Sequence, residues 1–218
     1  MQHLVAFSPS ILHIRRVNLP NVITLSRLVL TAAFVFFVAW ESTWGHVTAL
    51  ILFIIAAVSD FVDGWLARKM NLVTSLGKLL DPLADKILVC AAFVFLTAEG
   101  ICPVWITALI IGREFLVTGL RQIAIEAGQV LAADNLGKWK TAFQLTYLIA
   151  GLIRLTLDTM STVPSSLKFI HTLTTPWGEN TPWGENAWLM PITLGIAVAL
   201  TVISGCNYVW SSRYLLKG

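Results

Sequence analysis

Charge is what this sequence most lacks. Only 12% of its 218 residues are Asp, Glu, Lys or Arg, about half the share found in ordinary soluble domains, which excludes a water-facing globule. Cysteine is sparse too. Cys90, Cys102 and Cys206 stand singly in or beside apolar stretches, which argues against a disulfide framework or a thiolate zinc site and leaves them as small packing residues. Long polar linkers are missing. The connections between apolar stretches are short and use Gly, Pro, Asn and Asp, so no second soluble domain fits. The net charge of +3 is too small to argue for a nucleic-acid partner.

What is present is apolar surface: 56% of residues are hydrophobic and the mean hydropathy is +0.76. Six runs, at about 22–40, 46–67, 77–98, 103–127, 138–159 and 187–210, each approach the ~20 residues that a helix needs to cross a bilayer. The first run has no small-residue cleavage site and reads as a retained helix. Ahead of it, residues 8–19 mix Ile11, Leu12, Ile14 and Val17 with His13, Arg15 and Arg16, the composition of a helix lying on an anionic membrane surface. Pro20 and Asn21 are expected to end that segment and start the next. The expected fold class is therefore an all-α integral membrane protein, with six transmembrane helices preceded by a short N-terminal amphipathic juxtamembrane helix. Residues 1–20 would form the cytoplasmic juxtamembrane segment and residues 21–218 one membrane catalytic domain.

Charge distribution orients this arrangement. With a cytoplasmic N-terminus, the inner loops and span ends collect Arg15, Arg16, Arg68, Lys69, Lys78, Arg121, Lys138, Lys140, Arg213 and Lys217, while the outer loops hold only Lys168. The positive-inside rule then puts both termini in the cytoplasm, in a cell (cytoplasmic) membrane. Tryptophan, which prefers both membrane interfaces, supports the count of six, since none falls mid-span: on this topology Trp40, Trp44, Trp105, Trp177, Trp183 and Trp188 fall near the outer boundary, and Trp65, Trp139 and Trp210 near the inner one. In an outer turn, residues 175–180 (Thr-Pro-Trp-Gly-Glu-Asn) recur at 181–186. Two copies are too few for a solenoid, so this is a local duplication.

Against that apolar background the acids stand out. The second run ends Asp60-Phe-Val-Asp63-Gly64-Trp-Leu-Ala67-Arg68, and at 3.6 residues per turn Asp60, Asp63, Gly64 and Ala67 share one face. The third opens Gly77-Lys-Leu-Leu-Asp81-Pro-Leu-Ala-Asp85, where steps of four align Gly77, Asp81 and Asp85. A short connection makes the two helices antiparallel neighbours whose acidic faces can meet. An intramembrane carboxylate costs at least about 2.5–3.5 kcal/mol at a helix centre, and several together repel one another. Hard divalent cations with oxygen ligands, Mg2+ or Mn2+, would hold them. A structural ion-pair cluster is the plainer reading, but it leaves the small residues unexplained. Gly64, Ala67 and Gly77 clear space for an incoming group, or for close helix packing.

The whole pattern, Asp-x-x-Asp-Gly-x-x-Ala-Arg, eight residues, then Gly-x-x-x-Asp-x-x-x-Asp, resembles the defining motif of the CDP-alcohol phosphotransferases without a departure. That resemblance implies a phosphatidyltransferase in which Asp60, Asp63, Asp81 and Asp85 ligate two divalent metals, with Asp85 also the general base on the acceptor hydroxyl. Asp63, Gly64, Ala67, Arg68 and Gly77 would surround the CDP moiety, Arg68 on its diphosphate, and Thr74 would cap the third helix or touch the nucleotide. Family members are often homodimers.

The acceptor is suggested by a second set. Gly112-Arg113-Glu114-Phe-Leu-Val-Thr118-Gly-Leu-Arg121 and Gly137-Lys138-Trp-Lys140-Thr141 look like segments of the phosphatidylglycerophosphate synthases, the subgroup using CDP-diacylglycerol and sn-glycerol 3-phosphate. Arg113, Arg121, Lys138 and Lys140 would then bind the acceptor phosphate, a role that suits Arg and Lys. Positive-inside anchoring accounts equally for Arg121, Lys138 and Lys140, and an Arg-Glu structural pair for Arg113. Arg154, with Asp158 one turn on, reads as such a pair. The same chemistry with inositol phosphate or phosphatidylglycerol as acceptor remains open. So does a cation-coupled transporter, although no inverted repeat is present and the acids sit away from the midplane.

Overall fold

Apolar runs of about 20 residues give the backbone no polar partner but itself, and the helix is the local structure that satisfies every amide within one segment. A computed structural model of the chain describes residues 19–70, 75–128, 135–160, 162–174 and 188–213; side chains are described from residue 25 onward, except at 60–70, 75–85 and 135. Among the described residues all regular structure is helical: α1 (Leu19–Val38), α2 (Thr43–Met70), α3 (Ser75–Ala98), α4 (Val104–Glu126), α5 (Asn135–Asp158), a 3-10 turn (Ser165–Leu167) leading into α6 (Lys168–Leu173), and α7 (Leu189–Ser211).

Each of the six expected runs coincides with one long helix. The short α6 and its 3-10 turn were not anticipated, because their six and three residues are too few to show a periodic pattern. Helix α1 begins at Leu19, slightly before the break expected at Pro20 and Asn21, and proline is tolerated in a first turn whose amides have no helical acceptor. The amphipathic segment ahead of it and the duplicated Thr-Pro-Trp-Gly-Glu-Asn turn lie outside the described residues. Among the described residues one helix, Leu189–Ser211, is long and apolar enough by composition to cross a membrane, while Leu25–Val38, Thr43–Ser59 and Lys86–Ala98 are shorter apolar segments.

Local chemistry sets the connections. The Ser42 hydroxyl accepts the Gly45 amide at 3.0 Å, capping α2. At the end of α3, Gly100 takes φ +73°, the left-handed turn glycine adopts without strain, and the Ile101 amide returns to the Leu96 carbonyl at 2.9 Å.

Helices α3 and α5 lie against each other; α1 packs on α2 and α3, and α7 on α4 and α5. The core between them is aromatic and aliphatic: Phe34 meets Phe53 with ring centroids 5.7 Å apart, and Phe93 stacks on Tyr147 at 6.0 Å. The buried Tyr147 hydroxyl donates to the Ile101 carbonyl at 3.0 Å. At Gly151, an added Cβ would come within 2.6 Å of the buried Leu96 side chain, so this glycine sets how closely α5 approaches α3. Outward faces remain strongly apolar, with Phe36, Ile51, Ile55, Val58, Val94 and Ile203 exposed. Trp40, Trp44, Trp105 and Trp188 are exposed at or beside the helix termini of one end, and Trp139 and Trp210 near the other.

Candidate active site

The acidic motif occupies the last third of α2 and the first half of α3. Asp60, Asp63, Gly64, Ala67 and Arg68 lie on α2 and Gly77, Asp81 and Asp85 on α3, so the helical backbone keeps the expected spacings. Their side chains lie outside the described residues, as does Thr74 altogether. Among the described residues no group of three or more His, Cys, Asp or Glu side chains could hold a metal ion.

Immediately beyond Asp85 the side chains are described, and they converge on one carboxylate. Glu114 of α4 is buried. Its Oε1 accepts Nη1 of Arg113 at 3.2 Å and also the ammonium of Lys140 from α5. Its Oε2 faces Nζ of Lys86, from α3, at 3.5 Å. Lys140, only 3% exposed, is thus drawn into the bundle rather than out to the interface. Among the described residues, three cations from three helices share one anion, and the cluster keeps an excess of positive charge.

Helix α7 supports this cluster from the other side. Nη2 of Arg113 donates to the buried Ser204 hydroxyl, and Arg121 donates to the Tyr208 hydroxyl. Both guanidinium groups stand over the Tyr208 ring, 5.9 Å and 5.0 Å from its centroid, in cation–π range. The four-residue steps from Arg113 through Val117 to Arg121 therefore place both arginines against one residue. Gly205 makes room for Arg113: a Cβ there would lie 3.3 Å from its Cγ. Arg113 Nε is buried without a hydrogen-bond partner among the described residues.

Of the four cations expected to bind the acceptor, Arg113 and Lys140 are joined through Glu114, and Arg121 is linked to Arg113 through Tyr208. Lys138 is exposed and takes no part in the cluster among the described residues, because two residues before Lys140 is more than half a helical turn around α5. The anchoring role weighed for Lys140 is at odds with its burial, whereas the Arg-Glu pair weighed for Arg113 is present, as part of a larger cluster. Sequence reasoning missed Ser204 and Tyr208, and it weighed Lys86 only as a counter-charge to the aspartates, pointing away from Asp81, not as a partner of Glu114. A signal existed in α7, where Thr201, Ser204 and Tyr208, all buried, recur at three- and four-residue steps in an otherwise apolar helix.

Elsewhere, Arg154 and Asp158 form the expected one-turn pair at 2.6 Å, extended by Nε2 of His171 at 2.9 Å from the same carboxylate. The cysteines are free; Cys102 is buried and accepts the Thr107 hydroxyl at 3.3 Å, while Cys206 is exposed rather than packed. A cleft of about 390 Å³ between α4 and α7 is lined by Pro103, Trp105, Ile106, Leu194, Gly195 and Val198. It is apolar and lies toward the opposite end of α4 from Arg121, so it has no part in the charged site.

An acidic motif at the α2–α3 turn, with a cationic cluster starting one residue beyond it, is an arrangement suited to phosphoryl chemistry. Over residues 17–203 the sequence matches the family described as CDP-alcohol phosphatidyltransferase. The chain belongs to that family.

Its relatives narrow the comparison. The CDP-diacylglycerol–glycerol-3-phosphate 3-phosphatidyltransferase of Bacillus subtilis (strain 168) is 39% identical over 212 residues, covering 92% of this chain and 97% of the relative. The enzyme of the same name from Rickettsia bellii (strain RML369-C) is 32% identical over 191 residues, covering 88% of this chain and 93% of its own length. That from Cereibacter sphaeroides is 31% identical over 215 residues, covering 92% and 97%. The family membership makes this chain a transferase, and Ser204 and Tyr208 fall just outside the matched residues.

Proposed function

We propose that this chain transfers the phosphatidyl group of CDP-diacylglycerol to sn-glycerol 3-phosphate, giving phosphatidylglycerophosphate and CMP at the cytoplasmic face of a membrane. The observation that carries the choice of acceptor is the cluster in which Arg113 and Lys140, with Lys86, converge on Glu114 one residue beyond Asp85. A surplus of positive charge in a buried setting calls for an anion. An acceptor that is itself a phosphate ester supplies one, and the names of the relatives point to the same acceptor.

The donor set fits divalent cations, since four carboxylates at helical steps of three and four on consecutive helices offer hard oxygen ligands. Asp60, Asp63, Asp81 and Asp85 would hold two Mg2+ or Mn2+ ions. Bound there, such ions supply Lewis-acid stabilisation of charge on the diphosphate and on the attacking and leaving oxygens. Arg68 adds a fixed positive charge for the diphosphate, and Gly64, Ala67 and Gly77 leave backbone accessible to the cytidine. Arg113 and Lys140 hold the phosphate of the acceptor, so that the terminal one of its two free hydroxyls points back toward α3. Asp85 takes the hydroxyl proton. The hydroxyl oxygen then bonds to the phosphorus of the phosphatidyl group, the bond from that phosphorus to the CMP oxygen breaks, and CMP leaves.

The membrane setting suits both substrates. At 28 residues, α2 is about 42 Å long, whereas the hydrocarbon of a bilayer is about 30 Å thick. If its tryptophan-bearing start lies at the outer interface, Asp60 and Asp63 emerge at the inner one, where a lipid-borne diphosphate and a water-soluble phosphorylated alcohol meet. Six of the helices would cross the membrane, and the exposed apolar faces would meet lipid.

Supplying purified protein with CDP-diacylglycerol, Mg2+ and one acceptor at a time tests the assignment. Release of CMP is expected with sn-glycerol 3-phosphate and not with inositol phosphate or phosphatidylglycerol; preference for either of the others would overturn the acceptor. Chelating divalent cations should abolish release, and adding back Mg2+ or Mn2+ should restore it.

A further inference from the structure

We propose that Glu114 is a positioning residue for acceptor binding, a single carboxylate that gathers Lys86, Arg113 and Lys140 from three helices into one phosphate-binding surface. This rests on the acceptor reading above and assigns a role to a residue which that reading leaves idle.

Geometry and charge carry the assignment. Glu114 uses both oxygens, Oε1 for Arg113 and Lys140 and Oε2 for Lys86. With the carboxylate removed, three cations would crowd a site of low dielectric and repel one another. The long side chains would then turn toward water, as lysines at membrane interfaces do. A purely structural ion pair would be balanced, and among the described residues this one is not. Among the described residues, three positive groups around one negative leave a surplus of two positive charges, which one phosphate monoester dianion would balance. Donors also remain in reserve: Arg113 Nε is buried without a hydrogen-bond partner among the described residues, and an ammonium has three protons to give. Because Lys86 follows Asp85 directly in α3, the same carboxylate couples the phosphate-binding surface to the helix of the proposed base.

The placement explains why Glu114 does not simply compete with substrate. Its oxygens face the cations from within the bundle, at 8% residue exposure. Ser204 and Tyr208 hold the arginines from α7, leaving the approach from the side of Lys86, which is 26% exposed, to the ligand.

Initial rates of CMP release by the full-length protein in micelles, measured against each substrate in turn, test this. Glu114→Gln keeps the shape and loses the charge. It is expected to raise KM for sn-glycerol 3-phosphate about tenfold while leaving KM for CDP-diacylglycerol within about twofold, a split that general loosening of the fold would not produce. Glu114→Asp, which keeps the charge, should bring the acceptor KM back to within about threefold of wild type. Should Glu114→Gln fail to fold, Lys86→Met, at a partly exposed position, is expected to raise the acceptor KM about threefold. An unchanged acceptor KM in either variant, or an equal rise in both KM values, overturns the role of Glu114. A wild-type enzyme indifferent to sn-glycerol 3-phosphate overturns the acceptor reading and this assignment together. Normal wild-type turnover with an insensitive Glu114→Gln overturns this assignment alone.

Discussion

Arg113 spends its guanidinium on two neighbours at once, the Glu114 carboxylate and the Ser204 hydroxyl, and lysine cannot reproduce that fork. Arg113→Lys is therefore expected to weaken acceptor binding by about 1.4 kcal/mol, seen as a roughly tenfold higher KM for sn-glycerol 3-phosphate; an unchanged KM would remove Arg113 from the acceptor site. Asp85→Asn keeps the size of the side chain and removes both the proposed base and one proposed ligand charge. Its kcat should fall by about 10²–10⁴-fold, the usual worth of a general base, with the helical circular dichroism intact. At this scale the sequence was legible where spacing alone carries the meaning, as in the partnership of Arg154 with Asp158 one turn on. It was not legible where meaning depends on which helix faces which. Nothing local to Glu114 says that Lys86 lies 28 residues earlier in the chain and yet within 3.5 Å, or that Lys140 points inward while Lys138 stays exposed.

Among the elements, the seam between α3 and α5 has the least slack. Leu96 is fully buried and sits where a Cβ on Gly151 would need to be. Gly151→Ala should force either Leu96 or the helix axis to move, at a cost of about 1–3 kcal/mol, read as a lower thermal midpoint in micelles. A midpoint equal to or above wild type would show that the seam can relax. The six long helices were legible because runs of apolar residues near membrane-spanning length have one good local solution. The short α6 was not, and the break near Pro20 was expected slightly late because proline is equally at home just before a helix and in its first turn.

For the molecule as a whole, the expected topology has a direct consequence. In a variant lacking Cys90, Cys102 and Cys206, a cysteine placed at Thr162, between α5 and α6, should react with a membrane-impermeant maleimide from outside intact cells. One placed at Glu126, at the end of α4, should react only after the membrane is opened. Reversal of that pattern would invert the orientation and move the acidic motif to the outer face. Orientation was read from charge that is scarce but one-sided; the exposed tryptophans at both ends of the bundle fit either orientation.

The central claim is that this bundle joins a lipid-borne CDP donor to a soluble phosphorylated alcohol. It is tested most directly by following CMP and lipid product together, with purified protein, CDP-diacylglycerol, Mg2+ and radiolabelled sn-glycerol 3-phosphate. The account predicts one labelled phosphatidylglycerophosphate for each CMP released, and both products formed at least about a hundredfold more slowly by Asp85→Asn. CMP released without labelled lipid, or equal yields from wild type and Asp85→Asn, would contradict it.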